Sequence, residues 1–163
     1  MIMRFVVVTG MSGGGKSTAL KMLEDAGYYC VDNLPVSLVE KFVELVSVPG
    51  SEVGKVALGL DVRTDQSFQD VTRVLEKLRE AGYQFEILFM DAEENVLIKR
   101  YKETRRIHPL AQHERVEEGV RKERKILENI RRSADYVIDT SNVLTRELKE
   151  ELDRIFVENA EYN

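Results

Sequence analysis

The chain is 163 residues and 18.7 kDa, with 43% apolar residues, 33% charged residues, one Cys and no Trp. That length makes one domain, and one Cys excludes a disulfide framework or a Cys-cluster zinc site. The apolar content excludes disorder, and the longest apolar runs, such as Phe5–Val8, fall far short of the roughly 18 residues a membrane span needs.

The N-terminal Met-Ile-Met-Arg has no signal-peptide core, so the expected location is cytoplasmic, without a membrane partner. Arg4–Val8 is a short apolar run ending in Thr9-Gly10, a strand followed by a turn signal. From Lys16 to Ala26, residues Ala19, Leu20, Met22, Leu23 and Ala26 recur at helical spacing and Gly27 closes the run. Tyr28–Val31 reads as the second strand. Pro35 opens a helix with Leu38, Val39, Phe42, Val43 and Val46 on one face, broken by Pro49-Gly50-Ser51. Val56–Leu60 is the third strand. Asp65 is expected to cap a helix carrying Phe68, Val71, Val74, Leu75 and Leu78, which stops at Gly82. Phe85–Met90 is the fourth strand, and a helix follows from Ala92 to about Lys102. Thr104–Gln112 is a polar break containing Pro109. A long basic helix runs from about Glu114 to Arg132, Tyr136–Ile138 is the fifth strand, and a last helix runs from Val143 to about Glu158. Strands alternating with helices predict an α/β domain with a parallel sheet. Phe5–Val8 and Ile87–Met90 are nearly continuous apolar runs, as strands covered on both faces should be.

Ligands of such sheets bind beyond the carboxyl ends of the strands. There the sequence reads Gly10-Met11-Ser12-Gly13-Gly14-Gly15-Lys16-Ser17, with Thr18 next. This is G-x-x-x-x-G-K-[ST] between a strand and a helix, a P-loop. Its glycines let successive N–H groups face one concavity, and the helix N-terminus adds positive potential there. Lys16 is expected to reach the β/γ-phosphates and the Ser17 hydroxyl to ligate Mg²⁺. The motif predicts a P-loop NTPase, a nucleotide-kinase-like three-layer fold with a five-stranded parallel sheet in the order 2-3-1-4-5, over residues 1–160. An Asp at a strand end usually completes the metal site. Asp61 is the first choice, with Asp91 and Asp139 competing; each has the alternative of capping a helix or bracing a turn. Asp32 follows the second strand, where it can take a proton from an acceptor or orient water. Its alternative is to cap the Pro35 helix, a role Asn33 fits as well.

Net charge is −5, but residues 99–132 hold twelve Lys/Arg against six Glu, so that segment is +6 and the rest is −11. The division points to a local anion such as phosphate, nucleotide or RNA; the plainer reading of the helix is a solvated face with i,i+4 Glu–Arg pairs. Arg100–Leu110 lies where small P-loop kinases carry a lid, and Arg105 or Arg106 is expected to close over the phosphates. His108 and His113 have no partner pattern. Cys30 reads as a small core hydrophobe rather than a nucleophile.

Several strings together resemble one family: Gly10–Ser17, Tyr29-Cys30-Val31-Asp32-Asn33-Leu34-Pro35, Asp61-Val62-Arg63, Phe89-Met90-Asp91-Ala92, Arg100–Leu110 and Ala134–Ser141. They resemble the RapZ/YvcJ family of bacterial nucleotide-binding proteins, also called RNase adapter proteins, from the first strand to the last helix. The resemblance implies ATP and GTP binding with weak hydrolysis. It implies an ATP phosphate site on Gly10–Ser17 and a GTP-linked segment on Asp61, Val62, Arg63 and Thr64. It also implies a C-terminal domain, outside this chain, associated with an amino-sugar phosphate and with RNA and oligomer contacts. The chain is therefore expected to be an N-terminal domain, a nucleotide-sensing NTPase module with Lys16, Asp32, Arg105 and Arg106 in catalytic roles and Mg²⁺ on Ser17 and Asp61. A small-molecule kinase and a non-catalytic RNA- or protein-binding module are the alternatives.

Overall fold

A computed structural model of the chain describes residues 4–48, 50, 53–62, 64–104 and 115–158. Five parallel strands, β1 (Arg4–Gly10), β2 (Tyr29–Asp32), β3 (Lys55–Gly59), β4 (Glu86–Asp91) and β5 (Tyr136–Asp139), form one sheet in the order β2-β3-β1-β4-β5. The expected topology is therefore the observed one. β1 is central: Val6 pairs with Ala57 on one side and with Glu86 on the other.

Alternate residues of the strands feed two apolar layers. Phe5, Val7, Leu58, Ile87 and Phe89 pack against α2 (Val36–Val46), α3 (Asp65–Glu80), α4 (Glu94–Thr104) and α5 (Val116–Ser133). Val6, Val8, Ala57, Leu88 and Met90 face α1 (Lys16–Asp25) and α6 (Thr145–Asp153). Covered on both faces, the central strands carry no exposed alternation, as their continuous apolar runs require. After α6 the backbone widens into a π-helical turn, Arg154–Glu158. The consecutive residues Ile155 and Phe156 are both buried there, and the Tyr28 hydroxyl donates to the Phe156 carbonyl at 2.8 Å. Burial pushes the Tyr28 phenol up to about 12.

Two expected caps are corrected. Thr64, not Asp65, caps α3: its hydroxyl accepts from the Ser67 amide at 3.0 Å, and its own amide donates to Ser67 Oγ at 2.9 Å. Two hydroxyls satisfy two free N–H groups in this reciprocal arrangement. At α2 neither Asp32 nor Asn33 caps. Pro35 holds the N-cap position in extended geometry without a side-chain bond, and Asn33 takes a left-handed φ of 58°. Asn tolerates that region better than most residues, so it turns the chain instead.

Much of the basic segment pairs with carboxylates of the domain. Arg121 Nε meets Glu94 at 2.8 Å, Arg132 meets Glu128 at 2.6 Å, and Lys102 meets Glu117 at 3.4 Å. Cys30 is half-buried, and its thiol donates to the Leu20 carbonyl at 3.3 Å. Burial, chiefly, pushes it up to about 11. Only the thiolate reacts, so Cys30 should alkylate with iodoacetamide at pH 8 on the order of a hundredfold more slowly than an unperturbed thiol. Peptide mass spectrometry over time checks this; labelling at the free-thiol rate contradicts it.

Candidate functional site

The P-loop joins β1 to α1, and its shape follows from where its carbonyls are held. Gly14 lies so close to β4 that a Cβ would sit 2.5 Å from the Met90 carbonyl oxygen, leaving room for glycine alone. Gly15 opens α1 at φ 104°, a left-handed geometry that glycine adopts without penalty. Arg100 of α4 donates from Nη1 to the Gly13 carbonyl at 2.7 Å and to Thr140 Oγ1 at 3.1 Å, and from Nη2 to the Thr140 carbonyl at 2.8 Å. The Thr140 hydroxyl lies 2.9 Å from the Gly14 carbonyl and 3.0 Å from the Asp91 carbonyl, with one proton to share between them. The Gly15 carbonyl accepts from the Ala19 amide at 2.9 Å. In a trans peptide the N–H points opposite to the C=O. Pinning the Gly14 and Gly15 oxygens therefore turns the Gly15 and Lys16 N–H groups the other way, into the concavity. The first turn of α1 adds N–H groups without intrahelical partners. The result is a built anion cradle.

The cradle opens into a cavity of about 620 Å³ lined by Gly10 to Gly13, Gly15 to Thr18, Asp32, Asn33, Asp61 and Val62. Arg100, Tyr101, Glu123, Thr140 and Val143 line its other walls. Lys16 is ion-paired with Asp61 and lies 3.3 Å from Asp32, its side chain only 14% exposed. The P-loop, Asp32, Asp61 and Val62 thus meet at one place. Thr64 does not line this cavity; its hydroxyl is committed to the α3 cap. Arg63, Arg105, Arg106, His108 and His113 lie outside the described residues.

The two competing carboxylates take the structural alternative. Asp91 is buried, and its oxygens accept from Arg124 at 3.1 Å, from Arg131 Nε at 2.9 Å and from the Ala92 amide at 2.7 Å. It is a structural hub facing away from the cavity. Asp139 accepts from the Ser141 amide at 2.8 Å, and the Ser141 hydroxyl and amide hold its carboxyl below the usual range. It braces the turn after β5. Among the wall residues outside the predicted set, Arg100, Glu123 and Thr140 bond to the P-loop. Glu123 carries a readable signal. It falls between Val120 and Leu127 on the apolar stripe of α5, and it is 1% exposed. A carboxylate in that register must have a polar partner across the interface. Here the Ser12 amide donates to Glu123 Oε1 at 2.8 Å and the Ser12 hydroxyl donates to Oε2 at 2.5 Å. A smaller cavity of about 410 Å³ lies along α5 over Phe89 and Leu127; of the predicted site residues it touches only Met11.

A family model described as the RapZ-like N-terminal domain matches residues 3–160. A protein named nucleotide-binding protein from Agathobacter rectalis is 55% identical over 98% of this chain and 55% of its own length. Another of that name, from Lachnoclostridium phytofermentans, is 53% identical over 98% of this chain and 56% of its own length. The chain thus spans about half the length of these curated relatives. Among solved structures, a shikimate kinase from Acinetobacter baumannii in complex with shikimate superposes with a TM-score of 0.65 at 17% identity, over 96% of this chain and 94% of the kinase. A gluconokinase from Sinorhizobium meliloti gives 0.58 at 19% identity, over 99% and 97%. At such identities these two show a shared fold.

Proposed function

The chain belongs to the RapZ-like N-terminal domain family, and from that premise we propose that it binds a Mg²⁺–nucleoside triphosphate, ATP or GTP, hydrolyses it slowly, and acts as the nucleotide-sensing module of an RNase-adapter-type protein. The observation that carries this is the cradle itself: a P-loop whose carbonyls are tied back by Arg100 and Thr140, with Lys16 inside it between two carboxylates. The residues fit a hard cation. The Ser17 hydroxyl and the Asp61 carboxylate are oxygen donors on one cavity, and Asp61 already holds a positive charge, that of Lys16. When bound, Mg²⁺ would neutralise phosphate charge. This chain's residues do the rest. The cradle N–H groups orient the phosphates, Lys16 exchanges its carboxylate partners for them, and Asp32 stands beside Lys16 to orient water. In this reading Arg105 or Arg106 supplies further positive charge.

The deciding experiment is a calorimetric titration with Mg²⁺–ATP and Mg²⁺–GTP, followed by phosphate release. Binding with slow, acceptor-independent release supports the reading; no binding to either nucleotide sinks it. A kinase is the second reading, favoured by Asp32 at the cavity wall, 48% exposed and beside Lys16. A phosphorylated product formed from a hydroxyl acceptor would decide for it. RNA or protein partners of the full-length protein are a further proposal, and a steep salt dependence of RNA binding would support the first.

Arg100 offers a sharper test. Losing its hold on Gly13 frees that peptide to rotate. Arg100→Ala should weaken triphosphate binding by about ten- to hundredfold, the worth of a charged hydrogen bond of about 1.5–3 kcal/mol. Arg100→Lys should not rescue it, because one ammonium cannot reproduce the two-pronged contact to Gly13 and Thr140. Calorimetry on the three proteins checks this, and full affinity in the Lys variant contradicts it.

A further inference from the structure

We infer that Glu123 is a positioning residue that fixes the Ser12 hydroxyl as a hydrogen-bond acceptor toward the cavity, so that this spot takes a water or a hydroxyl rather than a phosphate oxygen. The inference rests on the nucleotide reading above and goes beyond it.

Glu123 reaches across from α5 and accepts both polar hydrogens of Ser12, the amide at 2.8 Å and the hydroxyl at 2.5 Å. A serine hydroxyl has one proton and two lone pairs. With that proton committed to a carboxylate, which can only accept, the oxygen has lone pairs alone to offer the cavity that Ser12 lines. Phosphate oxygens are acceptors too and cannot bond it. A water or an acceptor hydroxyl can, by donating to Ser12 Oγ, and donation leaves its own oxygen lone pair directed away from Ser12. The carboxylate that holds this proton is 1% exposed. A P-loop built only to grip phosphate would gain from the opposite arrangement, a hydroxyl free to donate. The pair therefore sets apart a place for a nucleophile on the wall that also holds the phosphates.

Replacing the carboxylate by an amide reverses the polarity without emptying the site. In Glu123→Gln the amide oxygen still accepts from the Ser12 N–H, while the amide nitrogen donates to Ser12 Oγ. The serine proton is then released into the cavity. E123Q should bind the non-hydrolysable β,γ-imido analogue of ATP with Mg²⁺ about threefold or more tighter than wild type, since a donor toward the phosphate oxygens is gained. Its phosphate release at saturating Mg²⁺–ATP should fall about tenfold or more, since the water is no longer oriented. Loss of a merely structural contact would weaken binding and turnover together. Calorimetry and phosphate release are run on wild type, E123Q and Ser12→Ala. Ser12→Ala keeps the amide bond to Glu123 but deletes the acceptor, so it should keep its affinity and lose turnover; it decides the matter if E123Q does not fold. Weaker or unchanged affinity in a folded E123Q, or full turnover in Ser12→Ala, overturns the inference while leaving the nucleotide site standing. If wild-type turnover is below detection, the affinity arm decides alone. A wild-type chain that binds no nucleotide overturns the site and this inference with it.

Discussion

In a calorimetric titration Lys16→Ala should bind Mg²⁺–ATP at least about a hundredfold more weakly than the wild-type chain, the equivalent of roughly 3 kcal/mol. A single charge-assisted hydrogen bond accounts for about 1.5–3 kcal/mol of this. The structure says why the loss should reach the top of that range. Lys16 is the cation between Asp61 and Asp32, its side chain 14% exposed while theirs are 28% and 48%. Truncating it removes one positive charge from the phosphate site and leaves two carboxylates facing the incoming triphosphate. The effect therefore has an attractive part lost and a repulsive part exposed. The repulsive part has its own control. Lys16→Ala combined with Asp61→Asn should recover part of the lost affinity for bare tripolyphosphate, where no metal depends on Asp61. A Lys16→Ala chain that titrates like wild type removes the phosphate placement. A double variant no better than the single one would mean that Asp61 opposes nothing, and that the lysine acts by direct contact alone.

What could be read in advance was whatever local chemistry decides. The G-x-x-x-x-G-K-S string contains its own explanation, because glycine is required wherever the loop passes under the Met90 carbonyl. The strand ends were legible for the same reason: a short continuous apolar run closed by a turn signal fits a doubly covered strand, and a parallel sheet puts its ligand at the far end. The roles of individual carboxylates were not legible. Asp61, Asp91 and Asp139 all end strands or follow them, and a strand end by itself does not say which way the next side chain turns. Asp61 meets Lys16 because β3 lies beside β1. Asp91 points instead into the helical layer, where two arginines of α5 arrive from 33 and 40 residues away. The same distance hid the P-loop contacts of Arg100, Thr140 and Glu123. Each acts on P-loop backbone from more than 80 residues off in sequence, and nothing local marks such a partner. Only Glu123 left a trace, as a charge in the apolar register of its helix. The charge arithmetic left two readings of the +6 segment, a surface for anions and a solvated face with Glu–Arg pairs; Arg121, Arg124, Arg131 and Arg132 bind carboxylates of the domain itself.

Asp91→Ala should destabilise the fold by about 3 kcal/mol, the lower end of what breaking a buried ion pair from one side costs. Asp91 is 4% exposed and satisfies three groups: the Ala92 amide and the guanidinium groups of Arg124 and Arg131. Removing it strands a buried N–H and leaves two cations side by side. The lower end applies because the Arg124 and Arg131 side chains are 36% and 49% exposed, so water can take up part of their charge. For a chain of this size the melting temperature should fall by about 6–12 °C. Asp91→Asn keeps an acceptor for the Ala92 amide and should fall by less. The consequence extends to the nucleotide site, because Arg124 adjoins Glu123 on α5 and the Asp91 ion pairs hold that helix to β4. Loosening them should relax the Glu123 grip on Ser12. Asp91→Ala should thus lose stability first and regain normal phosphate release only where the helix still docks, at low temperature. Phosphate release measured at several temperatures below the melting transition separates the two effects. An unchanged melting temperature would mean that α5 is held by its apolar stripe of Val120, Leu127 and Ile130 alone, and that the aspartate between the arginines contributes nothing to the fold.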